Sequence, residues 1–253
     1  LPYLDQAPLY NMYNLTLAWG SSDPTQRTVV STKLNVLVCP SNPKGGQLDG
    51  DPDPTTNGGA WTMTVNASAD YALSKGVDRG ITPYVTLTLP GLFTDPTSSS
   101  NQYYAGMFPQ NYNARFADVT DGLSNTIAMH ESAGRPFLFR KGRQVGSPPG
   151  NRVNGGGWAR PASEVLVTGQ RADGSALFGT TPFNATNGHD VGGESYPSGA
   201  FGVQSTGQPY SFHIGGAHFL MGDGAVRFIS ENIAMNTFIG LVTVNGAEII
   251  GEF

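Results

Sequence analysis

Apolar positions along this chain recur mostly at a spacing of two, in short runs broken by Gly, Pro, Asn and Ser. Trp61–Val65, Ala69–Leu73, Tyr84–Leu89 and Thr126–Met129 read as strands on that pattern. Thr28–Ser31 and Leu34–Val38 join them as β-branched, strand-like runs. Helical spacing is found at the two ends. Leu1, Leu4, Leu9, Met12 and Tyr13 share a face, with Pro2 in a first turn and Pro8 forcing a break or kink. Near the C-terminus, Ser230 is read as the cap of a helix through about Thr243 that buries Ala234, Phe238, Leu241 and Val242. Gly246 follows its end, and Glu248–Phe253 is a short strand or tail.

The best-defined block is Ser211–Ile229. Phe219 and Met221 alternate with Leu220 and Gly222, and Ala225, Val226, Phe228 and Ile229 resume the pattern after Asp223-Gly224. Asp-Gly between two apolar runs predicts a hairpin, with a type I′ turn that needs positive φ at both residues. Gly215-Gly216 allows a sharp turn or a close backbone approach. Residues 40–59, 90–115, 147–157 and 168–210 are turn-rich, the last pinned by Tyr196, Phe201 and Tyr210. Together these elements predict a β-rich α+β fold in one domain, residues 1–253. It has an antiparallel sheet, long Gly/Pro/Asn-rich loops and a short C-terminal helix.

Composition narrows the partners. The chain carries 34 Gly and 18 Pro, with only 13% charged residues, a balance common in extracytoplasmic proteins. A net charge of −5 with no basic run argues against nucleic-acid binding. No apolar run reaches the ~18 residues of a membrane helix. The single Cys39 excludes an internal disulfide and a Cys-rich zinc site. Lying in the apolar run before Pro40, with no activating charge beside it in sequence, it reads as a buried structural thiol.

Candidate chemistry is sparse. Asp49, Asp51 and Asp53 share the D-x-D-x-D spacing of calcium loops. Prolines lie between them, Pro54 takes the glycine position and no Glu closes the loop, so a solvated acidic turn is preferred to a weak Ca²⁺ site. Asp118, Asp121 and Asn125 fit caps and turns better than a metal. His213 and His218 are five apart across Gly-Gly, not the H-x-x-x-H of a zinc helix. The preferred role of His213 is a hydrogen bond to a backbone carbonyl or to Asp223 that fixes the turn. No nucleophile elbow, P-loop or dinucleotide fingerprint is present. No cofactor is expected, weak Ca²⁺ apart.

From His213 through Asp223-Gly224 the block has the form H-x9-D-G. With Ser230–Ile233 and Gly246–Phe253, it resembles the C-terminal signature of a large planctomycete family, domain-of-unknown-function family 1559. Leu1–Gln6, Leu9–Asn11, Leu37–Ser41, Asp70–Ala72 and Thr120–Ile127 extend the resemblance in the family's order. Met129-His130-Glu131 departs from it, since the family more often has a small residue before the Glu. Members look like type IV pilins or pseudopilins: a leader, a long apolar helix, then a β-rich headpiece.

The resemblance implies a non-enzymatic headpiece of an extracytoplasmic filament or surface assembly, displayed in the periplasm or at the cell surface. It would self-associate, contact the pilus or secretion machinery, and touch the membrane only through a helix that precedes Leu1. It also implies a cysteine in that upstream part as a partner for Cys39. In this reading His213, Gly215, Gly216, Asp223 and Gly224 form a structural motif. A second reading is a surface binding module for glycan or protein that uses aromatics around Tyr103–Tyr112. A third is a metal-dependent hydrolase built on His213, His218 and Asp223.

Overall fold

The computed structural model describes residues 1–51, 62–148, 151–153, 156–160, 163–190 and 207–246. The chain opens with a 3₁₀ turn, Pro2–Leu4, and helix α1, Ala7–Met12. Pro8 lies in the first turn of α1, where a missing N–H costs nothing, so it starts the helix instead of kinking it. Helix α2, Pro24–Val30, replaces the first run expected as a strand. The Asp23 carboxylate accepts from Gln26 N at 2.9 Å and Pro24 takes the first helical position, a start signal that outweighs β-branched Thr28-Val29-Val30. Leu34–Val38 is not a strand either; its centre is the 3₁₀ turn Asn35–Leu37.

Two strands pair apart from the main sheet: β1, Leu48–Asp51, with β2, Thr62–Ala67. The main sheet is built from β3 (Tyr71–Asp78), β4 (Phe93–Asp95), β5 (Ser98–Ala105) and β6 (Ile127–Glu131). After the short hairpin β7 (Phe139–Arg140) and β8 (Arg143–Gln144) come β9 (Val165–Val167), β10 (Gly216–Met221) and β11 (Val226–Ser230). Its antiparallel order is β11-β10-β6-β3-β5-β4, with β9 parallel to β3. Strand β3 pairs β6 through Tyr71–Leu73 and β5 through Gly76–Asp78. At the changeover Gly76 has φ +142°, and a Cβ there would lie 2.1 Å from Tyr104 O, so only glycine fits.

Two expectations fail around this sheet. Tyr84–Leu89 forms no ladder, although Val85, Leu87 and Leu89 pack against the core in alternation. Asn236 takes the place of a strand partner, accepting from Thr86 N at 3.1 Å and donating to Thr86 Oγ1 at 2.7 Å. Conversely, strands β4 and β5 lie in the segment read as turns. Their Ser- and Asn-rich sequence is held by pairing to each other and to β3.

Helix α3, Met235–Val242, closes one face of the sheet. Ala72, Val77, Ile127, Ala217, Phe219 and Met221 point into the core beneath it, with Phe238, Ile239, Leu241 and Val242 from the helix. Phe183, Phe219 and Phe238 form its aromatic centre, with ring centroids 5.1–5.7 Å apart. His130 lies edge-on to Phe219 and Phe238, and neither ring nitrogen meets a hydrogen-bond partner among the described residues. The helix is capped at Ala234, which is exposed, rather than at Ser230. Ser230 ends β11 and its hydroxyl accepts from Asn232 N at 3.2 Å.

The hairpin forms as expected, but its turn does not. Met221 N donates to Ala225 O at 2.8 Å and Gly224 N to Met221 O at 3.0 Å, which makes a three-residue loop. Gly224 has φ +90°, while Asp223 is not in the positive-φ region, so the turn is the bulged type rather than I′. Asp223 instead accepts from Ala225 N at 2.9 Å through its side chain. At Gly215, φ is +81°, and a Cβ on Gly216 would lie 2.2 Å from Ile229 O, so one glycine turns the chain and the other admits it.

A side chain at Gly224 would meet open space, so Gly224→Val should act through backbone strain alone. We expect a loss of about 1–3 kcal/mol in urea unfolding, with Gly224→Asn milder; parent-like stability of the Val variant would refute it. Burial holds the folded pKa of His130 down at about 3, against an ordinary 6.5. The neutral ring therefore favours the fold above the ordinary value, and that stability is lost as pH falls from 6.5 towards 3. The acid limb of a stability–pH curve should slope by up to about 1.4 kcal/mol per unit from this group. His130→Leu should flatten it.

Candidate functional site

Register places Tyr71 opposite Glu131, and Leu73 and Leu220 both opposite Met129. Since alternate side chains point to opposite faces, Tyr71, Leu73, Met129, Glu131, His218 and Leu220 line the sheet face away from α3. A register shift between Leu220 and Met221 lets Met221 and Ile127 stay in the core. Two loops close over the Glu131 end of this face: residues 39–42 and residues 211–215.

Asp70 anchors the first loop. Its buried carboxylate accepts from Cys39 N at 2.8 Å, Asn42 Nδ2 at 2.8 Å and Gly134 N at 3.1 Å. Burial raises its pKa, and these donors oppose the rise. Ser211 anchors the second loop, its hydroxyl accepting from His213 N at 3.0 Å.

The two loops meet around Glu131. Cys39 Sγ lies 3.5 Å from His213 Nε2, and the same Nε2 lies 3.5 Å from Glu131 Oε1. Ser41 Oγ is 3.2 Å from His213 Nδ1. Glu131 is fully buried. Its Oε2 accepts from His218 N at 3.0 Å and lies 3.8 Å from His218 Nδ1. Its Oε1 meets no conventional hydrogen-bond donor among the described residues; it faces the Cys39 thiol and His213. The rings of His213 and His218 pack edge to face, 4.7 Å between centroids. Burial, then Glu131, pushes the Cys39 thiol up to about 12. Burial also raises Tyr71, helped by the neighbouring Cys39, Glu131 and Asp70.

This geometry is not a nucleophile relay. A catalytic Cys–His–carboxylate arrangement puts the thiol and the acid on opposite nitrogens of the ring, whereas here both face Nε2. A thiol protonated to about 12 is also a poor nucleophile. What converges is a donor set: Cys39 Sγ, Glu131 Oε1 and His213 Nε2 lie within 4.8 Å of one another.

Other expected site residues are elsewhere. Among the described residues the His213 ring meets Cys39, Ser41 and Glu131 rather than a backbone carbonyl or Asp223. Asp223 sits at the hairpin tip, five residues beyond His218, so the set His213, His218 and Asp223 is not assembled. Asp49 is not in a solvated turn: it is buried on β1, accepts from Gly156 N at 2.8 Å and supplies countercharge to buried Arg135. Asp51 ends β1, and Asp53 lies outside the described residues. The acids of the 115–125 segment do serve backbone donors: Asp118 takes Arg115 N and Asp121 takes Gly246 N, at 2.9 and 2.8 Å. In the aromatic cluster Tyr103 is core, its hydroxyl accepting from Gln110 N at 2.8 Å; Phe108 and Tyr112 remain exposed.

Sequence reasoning missed Glu131 as the centre of the cluster and the role of Cys39 beside it. The only available signal was a carboxylate ending an apolar strand.

Fold and site together define an α+β protein in which the residue 39–42 and residue 211–215 loops are tied over one sheet face. The family model described as a protein of unknown function, DUF1559, matches residues 1–236, and the chain belongs to that family. No curated protein and no solved structure matches.

The thiol position makes a direct prediction. Chelator-treated, folded chain at neutral pH should resist iodoacetamide at Cys39, while urea-unfolded chain should alkylate fully by mass spectrometry. Rapid labelling of the folded chain would contradict the buried, protonated thiol.

Proposed function

We propose that this chain is the globular part of a non-enzymatic structural subunit in an extracytoplasmic pilus- or pseudopilus-like assembly. The observation that carries this reading is a cluster of exposed apolar side chains in one short stretch. Tyr3, Leu4, Tyr10, Met12 and Leu15 are all exposed, Tyr3 completely and Leu15 by 72%. Large apolar side chains concentrated on one segment mark a surface that is covered in the working state. Beside them, an apolar groove of about 350 Å³ runs between Leu4, Leu37, Leu73, Met129 and Trp158. The described residues contain no helix long and apolar enough to cross a membrane.

The pilin-like resemblance supplies the kind of assembly. In it, subunits meet through their N-terminal segments while the sheet and its loops face outward. The site fits a structural role: it fixes the loop that follows the N-terminal segment to the C-terminal hairpin.

A photo-crosslinker placed at Tyr10 of the complete gene product, in the producing cell, tests the reading. It should yield a ladder of subunit multiples on denaturing gels, and Leu4→Asp should weaken that ladder. Monomer alone at native expression would overturn it.

A further inference from the structure

Glu131 poses a physical problem. Among the described residues its Oε1 is met by the weak thiol donor of Cys39 and, at 3.5 Å, by His213 Nε2, and a buried carboxylate compensated so thinly is costly. Beside that oxygen stand an imidazole nitrogen and a thiol, each 3.5 Å from the other or from the oxygen. The three groups come from segments far apart in the chain, Cys39 and His213 being 174 positions apart.

We propose that Cys39 Sγ, Glu131 Oε1 and His213 Nε2 form a binding site for one borderline-soft divalent cation of the zinc class. The edge lengths fit. Tetrahedral zinc with bonds of about 2.0–2.3 Å sets its ligand atoms about 3.3–3.8 Å apart; two of the three edges are 3.5 Å, and the third, from Cys39 Sγ to Glu131 Oε1, lies within 4.8 Å. The charges fit as well. A divalent cation with one thiolate, one carboxylate and a neutral imidazole is neutral overall, the arrangement a buried site tolerates best.

The donor chemistry selects the ion. Thiolate and imidazole favour zinc, cobalt or nickel and disfavour the hard calcium ion, which takes oxygen ligands. Binding replaces the Cys39 S–H bond with a metal–sulfur bond, and the proton leaves to solvent. The remaining pieces are those of a supported site. Ser41 Oγ holds His213 Nδ1 at 3.2 Å and turns Nε2 inward. Asp70 fixes the Cys39 backbone, and Glu131 Oε2 is held by His218 N. His213 is 24% exposed at its side chain, which gives an entry path, and the partly exposed His218 and the Tyr71 hydroxyl stand beside the set as further donors. Such an ion would clasp the residue 39–42 loop, the end of β6 and the residue 211–215 loop.

The test is titration of tag-free, chelator-stripped, reduced full chain with Co²⁺, followed by competition with Zn²⁺. A thiolate-to-cobalt charge-transfer band should saturate at one ion per chain and be bleached by zinc, and zinc should raise the melting temperature. Cys39→Ser should abolish the band, and His213→Ala should weaken zinc binding by about 100-fold and Ser41→Ala by about 10-fold. His213 lies at the rim, so its variant is expected to fold, with circular dichroism as the check. Should Glu131→Gln fail to fold, the His213→Ala and Ser41→Ala measurements carry the test. A folded parent without the band, or a His213→Ala chain that binds zinc like the parent, would overturn the proposal.

Discussion

The buried carboxylate of Glu131 is the constraint on which this end of the molecule depends. One residue at the end of a central strand, Glu131, meets three elements that the sequence keeps far apart. Its strand neighbour is Tyr71 on β3, its Oε2 takes the β10 backbone at His218, and its main-chain oxygen takes Tyr210 N at 2.9 Å. Burying a charge is unfavourable unless its lone pairs are met. The loops that carry Cys39 and His213 therefore have a defined place: they must supply what Oε1 lacks while shielding it from water.

Asp70 solves the analogous problem fully, and the contrast is instructive. Both carboxylates sit beside paired strands on the same side of the domain. Asp70 has three donors for its two oxygens, all from turns that need their own polar ends satisfied. It acts as a local template for the residue 39–42 loop, much as a cap does for a helix. Glu131 has a backbone donor on one oxygen and a soft, titratable set on the other. A purely structural carboxylate would be expected to resemble Asp70.

The sequence was most legible where alternation and burial agree. Gly216–Met221 alternates because one face packs under α3, and it lies inside the hairpin block read at Ser211–Ile229; Ile127–Glu131 reads in the sequence as Thr126–Met129, which stops two residues short of Glu131. Tyr84–Leu89 shows how alternation misleads: the pattern reports burial of Val85, Leu87 and Leu89, whereas a strand also needs a partner, and here a side chain of α3 fills that role. The opposite error arose at Ser98–Ala105, whose polar residues give no strand signal and take their conformation from β3 and β4. At Pro24–Val30 local start chemistry in Asp23-Pro24 defeated β-branched propensity, a signal present in the sequence and underweighted. The site was hardly legible at all. Its residues, 39, 131 and 213, are brought together only by the sheet order, which no local pattern encodes.

The H-x9-D-G signature takes on a different meaning in this light. Read as chemistry, histidine and aspartate at fixed spacing suggest one site. The structure separates them to opposite ends of β10: His213 lies in the loop over Glu131, and Asp223-Gly224 forms the hairpin tip. The nine intervening residues are Ile214, Gly215, which turns the chain, the strand Gly216–Met221, whose Gly216 lets β11 approach, and Gly222. The spacing is therefore a length. One residue more or fewer would shift β10 by a position, exchange His218 and Phe219 between faces, and put a phenyl ring beside the Glu131 carboxylate and an imidazole into the aromatic core. The distance between His213 and Asp223-Gly224 in this chain thus follows from keeping the strand in register with Glu131, with no catalytic partnership between the two required.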